Sequence, residues 1–159
     1  RRFGGEDFAS TELDVLGLPA ALEHLGHEFL EHSAIRFSIK TRGDQVRLPD
    51  AVNTVLFRVA QESLTNIEKH AAATRVQLRL IYHAKGLRMR LIDNGFGFNV
   101  PAVGVDPRRG IGLRNMRERV ESIGGTFAIV SRPGQTQVVA DIPTNALERI
   151  DPLPRENAP

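Results

Sequence analysis

The stretch Leu48-Pro49-Asp50-Ala51-Val52-Asn53-Thr54-Val55-Leu56-Phe57-Arg58-Val59-Ala60-Gln61-Glu62-Ser63-Leu64-Thr65-Asn66-Ile67-Glu68-Lys69-His70 decides how the chain folds. Val52, Val55, Leu56, Val59, Ser63 and Ile67 recur at helical spacing and form one stripe for a core. Pro49 stands near the first turn, where its missing N–H costs nothing, and the segment is the longest helix the sequence offers. Along the border of the stripe lie Glu62, Asn66 and His70, with Lys69 beside them. A carboxylate, an amide oxygen and an ammonium in one row suit a magnesium–phosphate site, because magnesium takes hard oxygen ligands and lysine neutralises phosphate charge. Taken alone, the same row also reads as a solvated helix face with a charge pair at i,i+7.

Upstream, residues 1–10 contain Gly4-Gly5 and read as a linker or frayed entry. Leu13, Leu16, Leu22, Leu25, Phe29 and Leu30 then recur at helical spacing, with Thr11 as a cap. Gly17 and Pro19 interrupt the pattern, which predicts a turn and then a helix over about 18–32. Ile35, Phe37 and Ile39 alternate with polar residues as a strand does, and Gly43-Asp44 ends it. Downstream, Val76, Leu78, Leu80 and Tyr82, then Leu87, Met89 and Leu91, predict two strands joined as a hairpin at Lys85-Gly86. A glycine-rich stretch follows Asp93. Leu113, Met116, Val120 and Ile123 predict a helix stopped by Gly124-Gly125. Phe127 and Ile129, then Val138, Ala140 and Ile142, give a last strand pair around Pro133-Gly134. The tail from Asn145 to Pro159, charged and proline-bearing, reads as disordered.

The succession of elements predicts an α+β, two-layer sandwich: a mixed sheet with about three helices on one face. Residues 11–144 would form the one folded domain, a size that 159 residues allow. No apolar run approaches the ~20 residues that cross a bilayer as a helix. With no cysteine, disulfides and thiolate metal sites are excluded. The formal net charge is only +2, and the basic residues are scattered among acids along the chain, so no direct nucleic-acid partner is expected.

Two further motifs can carry chemistry. Asp93-Asn94-Gly95-Phe96-Gly97-Phe98 follows a strand directly. A carboxylate held there by a glycine turn can accept from an exocyclic amine, and the glycines leave room for a flat ring; the same residues also read as a plain turn. Gly110-Ile111-Gly112-Leu113 immediately precedes the predicted helix, where free N–H groups and the positive helix end favour an anion, or where an ordinary loop simply ends. The Rossmann fingerprint does not fit, since the third glycine is missing.

Taken together and in this order, the three motifs resemble those of the ATP-binding domain of sensor histidine kinases, in the GHKL superfamily shared with gyrase, MutL and the heat-shock chaperone ATPases. Phe57 to Ala71 is similar to the family's N box, Asp93 to Phe98 to its G1 box, and Gly110 to Arg119, ending at Gly124-Gly125, to the G2 box and following helix of the NarX/DesK-like subgroup. The likeness runs from about Leu13 to Pro143 and implies the Bergerat (GHKL) version of the sandwich with a short ATP lid.

The resemblance implies roles residue by residue. Asn66 would ligate Mg²⁺, Glu62 would orient water or act as a base near the γ-phosphate, and Lys69 would contact phosphate. His70 would line the ribose–phosphate side. Asp93 would accept from the adenine N6 amine, Gly95 and Gly97 would open the pocket wall, and the segment 99–109 would be the lid. Gly110 and Gly112 would give backbone N–H groups to phosphate, with Leu113 beside them, and Thr136 would support Asp93 and adenine. Gln135 stands where the family commonly has glycine. The implied activity is protein histidine kinase, catalytic domain only: ATP and Mg²⁺ as cofactors, and the γ-phosphoryl group passing to a histidine on a separate dimerisation domain and on to a NarL-like response regulator. His27-Glu28 lacks the pattern around an acceptor histidine, and His83 reads as a surface strand residue. The chain by itself is expected to be a monomer and the parent a homodimer. It is expected to be a cytoplasmic domain, with any inner-membrane anchor of the parent lying outside it. A stand-alone GHKL ATPase, an anti-sigma-type protein-serine kinase and a binding module that has lost nucleotide are the alternatives.

Overall fold

The computed structural model describes residues 17–95 and 107–148. One mixed sheet holds β1 (Arg36–Arg42), β2 (Arg75–His83), β3 (Gly86–Asp93), β4 (Thr126–Arg132) and β5 (Gln135–Pro143), in the order β1-β2-β3-β5-β4. β1 lies parallel to β2, and every other neighbouring pair is antiparallel. The helices are α1 (Leu18–Leu30), α2 (Asp50–Asn66), α3 (Pro107–Ser122) and the short α4 (Thr144–Glu148). A parallel pair needs a crossover, and α2 lies in it. The α+β sandwich expected from the sequence is the fold observed.

Strand alternation sorts the residues. Val76, Leu78, Leu80 and Tyr82 of β2, Leu87, Met89 and Leu91 of β3, and Val138, Ala140 and Ile142 of β5 all point to the helices and are buried. From the other side Leu22, Val52, Leu56, Val59, Leu64, Met116 and Val120 close the core. Full burial of such a side chain stabilises by roughly 1.5–3 kcal/mol, so this single layer dominates the folding energy. At one end of the sheet, Phe37, Val76, Asp93, Thr136 and Ser131 form a row across all five strands. The row ends the apolar layer and places a carboxylate at its border.

Three boundaries differ from expectation. α3 begins at Pro107, so Gly110 and Gly112 lie inside it and not in a loop before it. Two glycines cost a helix about 1 kcal/mol each, which argues for a loop. Pro107 at the first helical position and the burial of Met116 and Val120 outweigh them. Residues 145–148, expected to belong to a disordered tail, instead form part of α4. There Ala146 is buried, and Thr144 donates its N–H to Lys85 O and its hydroxyl to Ala84 O. The hairpin turn is Ala84-Lys85, one residue earlier than read. The stop of α3 is as expected: Gly124 takes φ +84°, Gly125 N–H reaches Val120 O and Gly124 N–H reaches Glu121 O, the Schellman pattern. Residues 1–16, the segment 96–106 and the tail beyond 148 lie outside the described residues.

The charge reading also changes. Strand periodicity turns alternate residues away from the helices, and basic residues scattered in sequence gather on that helix-free face. Lys40, Arg79 and Arg90 share one row across it.

Candidate functional site

α2 brings Glu62 and Asn66 to its C-terminal end, both half-buried beside the fully buried Leu64. There the α-helix gives way to a π-helical turn, Ile67–Ala71, closed by Ala72 in the left-handed region at φ 49°. Thr65 donates its hydroxyl to Gln61 O at 2.9 Å, the side chain-to-carbonyl bond that bends helices. Such π-turns recur at functional sites because the wider turn redirects side chains. It carries Lys69, which is exposed, further round from Asn66 than an α-turn would. His70 lies in the π-turn, and its side chain is outside the described residues.

Asp93 closes β3 and is 4% exposed. Its Oδ1 accepts the N–H of Gly95 at 2.9 Å, while Oδ2 has no donor among the described residues. Burial pushes the carboxyl above the usual carboxylate range, and the Gly95 N–H pulls partly the other way. Thr136, 3% exposed, is its cross-strand partner on β5 and bonds to the Ser131 hydroxyl at 3.0 Å. The expected support of Asp93 by Thr136 therefore has a geometric basis in the register, with Gln135 exposed beside it. Gly95 is buried, and Gly97 lies outside the described residues.

Sequence reading missed Asn94. Its Oδ1 accepts from Thr74 N–H at 2.9 Å and Arg75 N–H at 2.8 Å, its Nδ2 donates to the Thr74 hydroxyl at 2.8 Å, and its own N–H reaches Arg75 O. This clamp ties the segment leaving the π-turn to the strand end that carries Asp93. The signal available was the strong turn chemistry of Asp93-Asn94-Gly95, which does not reveal a partner some 20 residues away. Asn94→Ala removes three side-chain bonds at a partly solvated site, so a loss of about 1–2 kcal/mol in denaturant melts is expected.

Two of the contacts between α3 and α2 bear on the site. The Ser63 hydroxyl sits 3.7 Å from Met116 Sδ, both residues being buried. Gly112 faces Glu62 so closely that a Cβ on it would lie 2.6 Å from Glu62 Oε1. The predicted Glu62 and Gly112 are thus in contact, and the half-buried Leu113 packs against the core beside them. Gly110 falls at the end of the first turn of α3, next to the amides that have no intrahelical acceptor, whereas the N–H of Gly112 is further inside the helical ladder. For Gly112→Ala the atom in the way is the end of a flexible side chain, and alanine favours the helix by about 1 kcal/mol. The variant is expected to melt within a few degrees of the parent while Glu62 is pushed aside, a shift that NMR of the Glu62 side chain would register.

Among the described residues no group of three or more His, Cys, Asp or Glu could hold a metal. Magnesium held mainly by phosphates and water needs only one or two protein oxygens, and the half-buried Asn66 amide is such a donor.

The family model for histidine kinase-, DNA gyrase B- and HSP90-like ATPases matches residues 51–146, a span that includes α2, the Asp93 turn and α3. The sensor histidine kinase MctS of Rhizobium johnstonii is 39% identical over 140 residues, covering 88% of this chain and 30% of that protein. The histidine-protein kinase/phosphatase DegS of Brevibacillus brevis is 33% identical over 144 residues, covering 89% and 36%. The chain thus spans about a third of the length of these relatives. Among solved structures, the histidine kinase domain of a blue-light activated kinase from Erythrobacter litoralis superimposes with a TM-score of 0.71 at 22% identity, over 90% of this chain and 75% of that one. The ATP-binding domain of PrrB from Mycobacterium tuberculosis gives 0.64 at 22%, over 77% and 90%. Both likenesses are of fold.

Proposed function

This chain belongs to the family of histidine kinase-, DNA gyrase B- and HSP90-like ATPases, and from that membership we propose that it is the ATP-binding catalytic domain of a sensor histidine kinase. The observation that carries the reading is Asp93: a buried carboxylate with one oxygen held by Gly95 N–H and the other without a donor among the described residues. That half-used acceptor suits the exocyclic amine of adenine, and Thr136 fixes the flank on which the ring would rest. A guanine, with a carbonyl at the same place, would set acceptor against acceptor.

The phosphates would extend from there toward α2 and α3. Asn66 would offer its amide oxygen to magnesium, which would supply charge neutralisation at the phosphates. The first-turn amides of α3, beside Gly110, would meet phosphate at a positive helix end. Lys69 would add charge from the exposed π-turn, and His70 would border the ribose side. Glu62, against Gly112, stands where it could orient water or an incoming nucleophile. The chain's own share in the reaction is positioning and charge neutralisation, with phosphate passing to a histidine on a dimerisation domain and then to a response regulator. A NarL-like regulator, a dimeric parent and a cytoplasmic position belong to the same proposal.

Titration calorimetry with ATP and Mg²⁺ is expected to show saturable binding to one site, with GTP far weaker. No heat at millimolar ATP would reject the proposal. Steady ATP turnover by this chain alone, with no histidine-bearing domain present, would favour the stand-alone ATPase instead.

A further inference from the structure

The sheet face turned away from the helices carries a charge pattern that folding alone does not explain. Its middle row aligns Lys40, Arg79 and Arg90 on three adjacent strands. The neighbouring row adds Arg42 and Arg88, and Arg36 pairs with Arg75 at the end nearest Asp93. Arg132 of β4 occupies the far corner, opposite Gln135. Asp141 is the one acidic residue on the face, so eight cations meet one carboxylate on a chain whose formal net charge is +2. Of these eight cations, only Arg88 has a carboxylate partner among the described residues, bound through Nε at 2.7 Å and a terminal nitrogen at 3.0 Å.

Like charges directly opposite each other weaken a sheet by roughly 0.2–1 kcal/mol per pair. Three such contacts occur here: Arg36 with Arg75, Lys40 with Arg79, and Arg79 with Arg90. A local rule broken repeatedly with no carboxylate set between the like charges is the mark of a surface kept for another purpose. Two of the guanidinium groups are also held in place, Arg79 Nε by Gln77 Oε1 and Arg90 by Gln137 Oε1, each at 2.6 Å. Ile81, Ile92 and Val139 are half-buried between the charges, and Val130 is 44% exposed.

We propose that this face is a docking surface for an acidic patch on a partner protein. Charge complementarity names the partner, and the arginines choose among anionic surfaces. Seven of the eight cations are arginines, the residue enriched at protein interfaces and able to grip a carboxylate with two parallel hydrogen bonds. A polybasic lipid-binding segment works by diffuse attraction that lysine supplies equally well, and no Trp or Tyr anchors this face to a headgroup layer. Single-stranded nucleic acid needs aromatic platforms, and no Phe, Tyr or Trp stands here. With strands about 4.8 Å apart and about 3.3 Å per residue, the face offers on the order of 450 Å². That is below the roughly 800 Å² per partner of a standard interface and fits a brief, electrostatically steered encounter.

The test is binding of fluorescent poly-L-glutamate by anisotropy at low salt, with phosphatidylglycerol vesicles and a DNA duplex at equal anionic charge as competitors. The chain is expected to bind poly-L-glutamate more tightly than either competitor, with affinity falling steeply as salt rises. The double variant R79Q/R90Q should bind about tenfold more weakly, whereas R117Q/R119Q, the same charge change on α3, should lose less than about twofold. Lys40→Glu on the exposed edge strand is the second variant, expected to act like R79Q/R90Q even if that pair folds poorly. Equal losses from both faces, no binding, or a preference for vesicles or duplex would each overturn the proposal.

Discussion

Asp93→Asn is expected to raise the melting temperature of the ligand-free protein at neutral pH while weakening ATP binding about tenfold to a hundredfold. Both effects come from the same burial. The Asp93 carboxyl is held above its ordinary pKa because desolvation disfavours its charge, with the Gly95 N–H only partly offsetting this. A folded-state pKa above the unfolded one means that the group's contribution to stability is fully present below the unfolded value. It is lost as pH rises through the folded value. Asparagine has no charge to desolvate, so the variant escapes that loss. The difference in melting temperature should therefore shrink as the buffer is acidified and close below the ordinary carboxylate range; a difference that ignores pH would contradict the account. Binding fails for a separate reason. Aspartate can accept on both oxygens, one from Gly95 and one from a ligand amine. Asparagine accepts on one only, so either Gly95 N–H or the ligand amine faces an NH₂ group. Unchanged ATP affinity in this variant would remove Asp93 from the site.

Gly86→Ala is the substitution expected to destabilise most. Gly86 has φ +146°, and an added Cβ would run into the carbonyl oxygen of Ile142 and lie 2.9 Å from Pro143 Cα. These are backbone atoms of β5, hydrogen-bonded to the strand that carries Gly86, so nothing near them can yield cheaply. A loss of about 3 kcal/mol or more is expected, or roughly 6–12 °C at about 2–4 °C per kcal/mol for a chain of this size. Gly134→Ala separates the causes. Its φ of +84° is also left-handed, but no atom lies within 4 Å of the added Cβ. Only backbone strain of about 1–2 kcal/mol remains there. Equal losses in thermal melts of the two variants would show that close strand approach is not what fixes Gly86.

The sandwich was legible because its two periods are clean. Val52, Leu56, Val59 and Ser63 stay on one helix face, and Val76 to Tyr82 alternate without a break. Strand order was not legible, since nothing in β5 announces that it pairs with β3 and not only with its hairpin neighbour β4. Composition around Gly110 and Gly112 hid the start of α3, because helix propensity is local and the packing that overrides it is not. The site was read as motifs, and the structure adds what joins them: Glu62 against Gly112, Ser63 against Met116, and Asn94 across to Thr74. Each is a tertiary contact between segments that no single stretch of sequence displays. The basic face escaped notice for the opposite reason, because neighbours in space are two residues apart along each strand and the interleaved core residues dilute them.

β1 has its own consequence. Among the described residues it is one of the two outer strands of the sheet, with one row of backbone groups facing no other described strand. Such a rim is where a second molecule could add itself and start a fibril. Arg36, Lys40 and Arg42 punctuate it, so two copies approaching rim to rim would bring cations against cations. The deterrent is electrostatic and therefore conditional: concentrated salt should blunt it, and self-association through this strand is expected to rise with ionic strength.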